Sequence, residues 1–76
     1  MSVSVVVNEN FDPTGQQEEV LAVFKDEHRA NPLRIRQATD MEKQRVNDAL
    51  GSLVDAGWVK KVNRGLYEFV EDPRDR

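Results

Sequence analysis

No cysteine occurs among the 76 residues, so neither a disulfide framework nor a thiolate metal site can supply stability, and a cytoplasmic compartment is the simpler expectation. The one histidine, His28, has no second histidine or cysteine with which to anchor zinc or to form a nucleophile-base pair, and reads as a surface residue near a helix end. With one tryptophan and one tyrosine, aromatic side chains are too few to stack the successive bases of a single strand. No glycine-rich phosphate loop is present and no nucleophile has a base in a recognisable spacing, so neither an enzyme nor a cofactor is expected. Long apolar runs are also missing. The stretch "MSVSVVVNEN" has neither the basic flank of a signal peptide nor the length of a membrane span, and no membrane partner is expected. A chain this short forms one domain whose modest core must use nearly every large apolar side chain.

Charge is abundant but unevenly placed. The net charge is -3, which argues against indiscriminate phosphate binding. Residues 1–28 nevertheless hold six carboxylates against Lys25 alone, whereas residues 29–64 hold eight bases against Asp40, Glu42, Asp48 and Asp55, and the tail is acidic again. A basic middle between acidic flanks points to a polyanionic partner. Seven Asp and seven Glu, with Arg outnumbering Lys, suit a protein from a salt-loving organism, where base contacts and shape would matter more than phosphate attraction.

Along the chain, "SVSVVV" reads as a short strand or arm, and residues 1–13 as a segment outside the main domain. "NENFDPTG" is a turn cluster in which Asp12 or Thr14 can cap a helix, with Thr14 and Gln17 at the spacing of a capping box. Val20, Leu21, Phe24 and His28 then give an amphipathic helix from about Gly15 to Arg29. At Pro32 the helix stops. Either a brief extended piece precedes a short helix at about 34–39, or Asn31 caps that helix directly. Between Glu42 and Ala56, Val46, Ala49, Leu50 and Leu53 recur at three and four, and Gly57 stands where helices end in the left-handed region. "WVKKV" and "LYEFV" flank a turn holding Asn63 and Gly65, a hairpin over about 58–70. Trp58, Leu66 and Phe69 belong with the core, and the strand pattern leaves the side taken by Tyr67 undecided. "EDPRDR", residues 71–76, reads as a flexible tail.

Helix, short helix, turn, longer helix and hairpin is the order of a winged helix-turn-helix, an α+β fold of three helices, a C-terminal hairpin wing and here an N-terminal strand or arm. "LRIRQATDMEKQRVNDALGSLVDAGWVKKVNRGLYEF" resembles the winged-helix domains of archaeal and bacterial transcription regulators, and "AGWVKKVNRGLYEF" is similar to the DNA-binding segment of antitoxins that repress their own operons. The resemblance spans roughly residues 18–70, and its G-W-x-x-x-V-x-R-G-x-Y pattern marks the fold better than the target. It implies a domain over 14–70 that binds double-stranded DNA, with residues 42–56 in the major groove and the hairpin on the backbone or minor groove.

If Val46, Leu50 and Leu53 anchor the long helix, Lys43, Gln44, Arg45 and Asn47 are left near its outer face, with amides suited to adenine and cations suited to guanine or phosphate. Lys60, Lys61 and Arg64 of the hairpin, and Arg34 and Arg36 of the preceding helix, can reach the backbone. Lys60 and Lys61 serve equally well to protect an exposed sheet edge. Glu42 and Asp48 depart from the family's polar or basic pattern; they either repel phosphates or serve otherwise, Asp48 by accepting from cytosine N4 and Glu42 by favouring the helix N-terminus electrostatically. The expectation is a small repressor acting as a homodimer through the N-terminal strand or the first helix. The alternative is a winged-helix module, or an accessory protein of a mobile element, that binds protein and not DNA.

Overall fold

The computed structural model describes residues 7–75, so the expected strand at 2–7 lies outside the described residues except for Val7. Three helices and three strands follow in the order α1 (Gly15–Glu27), β1 (Arg29–Ala30), α2 (Pro32–Thr39), α3 (Lys43–Asp55), β2 (Val59–Asn63) and β3 (Leu66–Phe69), closed by a 3-10 turn at Pro73–Asp75. The result is a small α+β domain with an antiparallel sheet in the order β1-β3-β2. None of the described helices is long and apolar enough to cross a membrane.

Local chemistry sets the ends of the helices. Thr14 caps α1 through a full capping box, its Oγ1 accepting from the Gln17 amide while Gln17 Oε1 accepts from the Thr14 amide. Asn31 caps α2 directly, its Oδ1 accepting from the Arg34 amide at 2.7 Å, and Pro32 takes the first helical position where its missing N–H costs nothing. The second of the two readings of this stretch therefore holds, and α2 begins earlier than 34. At the far end of α3, the Gly57 amide donates to the Val54 carbonyl and the Trp58 amide to that of Leu53. That is a Schellman ending, and it requires the positive φ of 79° that Gly57 adopts.

The core is a single cluster built from Val20, Leu21, Val23 and Phe24 of α1, Ile35 of α2, Val46, Ala49, Leu50 and Leu53 of α3, and Trp58 and Val59 at the base of the hairpin. Trp58 is fully buried, with its indole N–H donating to the Asn8 carbonyl at 2.9 Å and Phe11 edge-on at 5.2 Å. Since the Asn8 amide also donates to the Ala56 carbonyl, residues 7–11 are strapped onto the body of their own chain.

Pairing across the sheet decides which face each strand residue takes. Val59 lies opposite Phe69, Lys60 opposite Glu68 and Lys61 opposite Tyr67, and paired residues share a face. Tyr67 and Phe69 pack on the core, so Leu66, expected there, lies with Glu68 on the other face. A bulge between Lys61 and Asn63 inserts Val62 as an extra residue before the turn, and Gly65 alone of the turn residues takes a positive φ. β1 was not anticipated: Arg29 and Ala30 pair with Glu68 and Tyr67, after His28 turns the chain out of α1 at φ 66°.

Residues 71–75, expected as a flexible tail, are docked instead, because Asp72 needs partners for a carboxylate with no exposed surface. Arg74 chelates it through Nε at 3.0 Å and Nη2 at 2.8 Å, Lys25 Nζ lies 2.7 Å away, and the Arg74 guanidinium also grips Glu18 while lying 5.1 Å over the Trp58 ring. Arg74 first, then Lys25, holds the Asp72 carboxyl far below its ordinary value against the opposing effect of burial, and Arg74 likewise lowers Glu18. A carboxylate whose folded pKa is depressed stabilises the fold above its unfolded pKa and loses that stabilisation as pH falls through the folded value. Asp72→Asn should therefore cost about 2 kcal/mol at neutral pH, less than a fully buried pair because both cations are partly exposed and keep other acidic partners. The gap in urea midpoint between variant and wild type should narrow below about pH 4. A gap that widens on acidification would show that the clamp does not stabilise the fold.

Candidate functional site

Helix α3 buries one side, and its opposite side is fixed by arithmetic. At about 100° per residue, Val46, Ala49, Leu50 and Leu53 occupy one third of the circumference. The line diametrically opposite runs through Gln44, Asp48, Gly51 and Asp55, all exposed. Asn47 on one side and Ser52 on the other flank that line at about 70°, Arg45 lies about 90° from it, and Lys43 about 110° from it, next to the buried row. Glu42, Gln44, Arg45 and Asp48 together line a shallow polar depression of about 260 Å³ at the start of the helix. The expected outward residues are thus exposed, but the two amides and the two cations do not share a line. Gln44 is central, Asn47 and Arg45 lie to its sides, and Lys43 lies at the edge of the buried row.

Ion pairing divides the cations more sharply than sequence position does. Arg34 is held by Glu27 in a bidentate pair, with Nε 3.0 Å from Oε1 and Nη2 2.8 Å from Oε2. Glu27 is held below its ordinary carboxylate value by that guanidinium. Lys60 shares Glu68 with Arg29, at 3.2 Å and 2.9 Å, on the sheet face away from the helices, and Arg29 first and Lys60 second lower the Glu68 carboxyl. Lys25 and Arg74 are consumed by the tail clamp. Among the described residues, the cations without an acidic partner are Arg36, Lys43, Arg45, Lys61 and Arg64, and every one belongs to α2, α3 or the hairpin.

Of the nine residues singled out from the sequence, Arg36, Lys43, Gln44, Arg45, Asn47, Lys61 and Arg64 are exposed with no ionic partner among the described residues, whereas Arg34 and Lys60 are engaged inside the molecule. Lys60 and Lys61, adjacent in sequence, face opposite ways. Lys61 shares the helix-side face with Val59 and Tyr67, which turns it toward α3. Sequence reasoning missed Arg29, whose carboxylate partner is 39 residues away and leaves no signal in local spacing.

The remaining cleft of note lies between α1 and α2, about 380 Å³, where Glu19, Asp26, Glu27 and Arg34 surround Ala22 and Ala38. No group of three or more His, Asp or Glu side chains among the described residues is arranged to hold a metal ion. The chain matches no family model, no curated protein and no solved structure.

Proposed function

We propose that the domain is a winged helix-turn-helix that binds double-stranded DNA and regulates transcription, as a repressor acting as a homodimer. Helix α3 would enter the major groove, α2 would cross the backbone, and the β2-β3 hairpin would serve as the wing. The observation that carries this reading is the sorting of charge: among the described residues, the cations without acidic partners are confined to α2, α3 and the hairpin, in a protein whose net charge is -3. Among the described residues, five of the seven cations on those elements are unpaired, whereas Lys25, Arg29 and Arg74, which lie outside them, are all paired. The strand order β1-β3-β2 and the short helix before α3 support the fold assignment. The two copies would meet through the N-terminal strand or through α1.

Affinity measured by mobility shift on DNA upstream of the gene should separate the two classes of cation. The pair Lys61→Ala and Arg64→Ala should weaken binding about tenfold or more and make its salt dependence shallower by roughly two ions, since each free cation displaces one counterion. The pair Arg34→Ala and Lys60→Ala should change it far less, because those heads are already neutralised by Glu27 and Glu68. Equal effects would remove the argument from charge sorting. The acidic cleft between α1 and α2 supports a second reading, a module that docks a basic protein segment, and absence of DNA binding by wild type even at low salt would favour it.

A further inference from the structure

Helix α3 carries no cation on its most outward line, and its centre is a carboxylate. Asp48 follows Gln44 by one turn on that line, is exposed, and has no ion-pair partner among the described residues. Gly51, the next residue along, presents no side chain, and an added Cβ there would meet nothing within 4 Å, so the surface beside Asp48 is open to close approach. Lys43 and Arg45 stand to either side, where the two phosphate strands of a groove would run.

We infer that Asp48 is a specificity-determining residue that selects cytosine at one fixed position of the DNA site; the inference rests on the DNA-binding reading above. An ionised carboxylate only accepts hydrogen bonds. The major groove offers two kinds of amino donor, cytosine N4 and adenine N6, and adenine places its amino group beside the N7 acceptor, which repels a second acceptor. Cytosine presents its donor with an acceptor on one side only, the O6 of the paired guanine, and the C5 edge on the other, whereas the adenine donor lies between N7 and the thymine O4, so a carboxylate meets less repulsion at cytosine. Guanine and thymine present acceptors in the same place and are rejected. Gln44 has both an amide donor and an acceptor and matches adenine. Four residues of helix advance about 6 Å, close to two base-pair steps, so the site should hold an adenine and a cytosine about two steps apart. The same charge works against indiscriminate binding, because a carboxylate pressed into a groove without a donor is repelled by the whole duplex. Specificity is then set by exclusion as much as by attraction.

Enrichment of duplexes from a randomised library with the full chain, its Asp48→Ala variant and its Asp48→Asn variant tests this. Exposed on the outer side of α3, neither substitution disturbs the core, and circular dichroism confirms folding. Wild type should enrich a site with one invariant cytosine in each half-site. Asp48→Ala should lose the preference at that position alone, about tenfold, and bind random duplex more tightly, while Asp48→Asn should move it toward adenine. A wild-type site that persists unchanged in both variants, or that contains no fixed cytosine, overturns the assignment of Asp48 and leaves DNA binding standing. No enrichment by wild type at low salt overturns the DNA-binding reading, and the role of Asp48 falls with it.

Discussion

Trp58→Ala should leave the chain largely unfolded at room temperature. Removing a fully buried indole costs about 3–5 kcal/mol through lost transfer energy and the cavity left behind. A domain of this size has a total stability on the order of 4–11 kcal/mol, and one with so small a core belongs at the lower end. The loss is not confined to packing. The indole N–H holds the Asn8 carbonyl, the ring receives the edge of Phe11, and the Arg74 guanidinium lies over it, so the leading segment, the tail and the end of α3 lose a common anchor together. Urea unfolding followed by circular dichroism, with Trp58→Phe alongside, measures this. The phenylalanine variant keeps a ring but removes the shorter of the two hydrogen bonds to the Asn8 carbonyl, leaving the one from the Phe11 amide at 3.4 Å, and should lose roughly 1–3 kcal/mol with a cooperative transition retained. An alanine variant that unfolds cooperatively near the wild-type midpoint would show that the core does not depend on this residue.

The second large effect concerns binding. Lys43→Ala combined with Arg45→Ala removes both cations from the borders of α3, and DNA affinity should fall about 100-fold or more, roughly 3 kcal/mol for two charge-assisted contacts. Neither side chain has an ionic partner among the described residues and both are exposed, so thermal stability should stay within about 0.5 kcal/mol of wild type. That contrast makes the experiment decisive: a large loss of binding with an unchanged melting temperature can arise only at a surface that touches DNA. If binding survives the double substitution, α3 is not the element that enters the groove. A protein-binding module would be indifferent to it.

How much of this was legible in the sequence depends on the range of each interaction. The three-and-four spacing of Val46, Ala49, Leu50 and Leu53 is local, and so are the Thr14–Gln17 box and the Gly57 stop, and these elements emerge with ends within about two residues. Strand β1 is two residues long and exists only by pairing with Glu68 and Tyr67, so no pattern within Arg29–Ala30 announces it. The tail was illegible for the same reason: "EDPRDR" is polar throughout, and Asp72 becomes a buried group only because Lys25 and Arg74 meet it in space. Within the candidate site, the sequence identifies the cations but not their availability. Arg34 and Arg36 look equivalent as neighbours, yet Glu27 at the end of α1 captures the first and leaves the second. The alternation that puts Lys60 and Lys61 on opposite faces was readable, but which face meets α3 follows from the pairing of Val59 with Phe69.

The lone indole also determines what light can report. It is the only tryptophan, and its surroundings are Asn8, Phe11, the end of α3 and Arg74, all at the base of the hairpin and away from Lys43, Arg64 and the turn at Gly65. Intrinsic fluorescence should therefore respond strongly to denaturation and hardly at all to a titration with duplex. Occupancy of the opposite end would have to be followed by a dye or by anisotropy of the labelled nucleic acid.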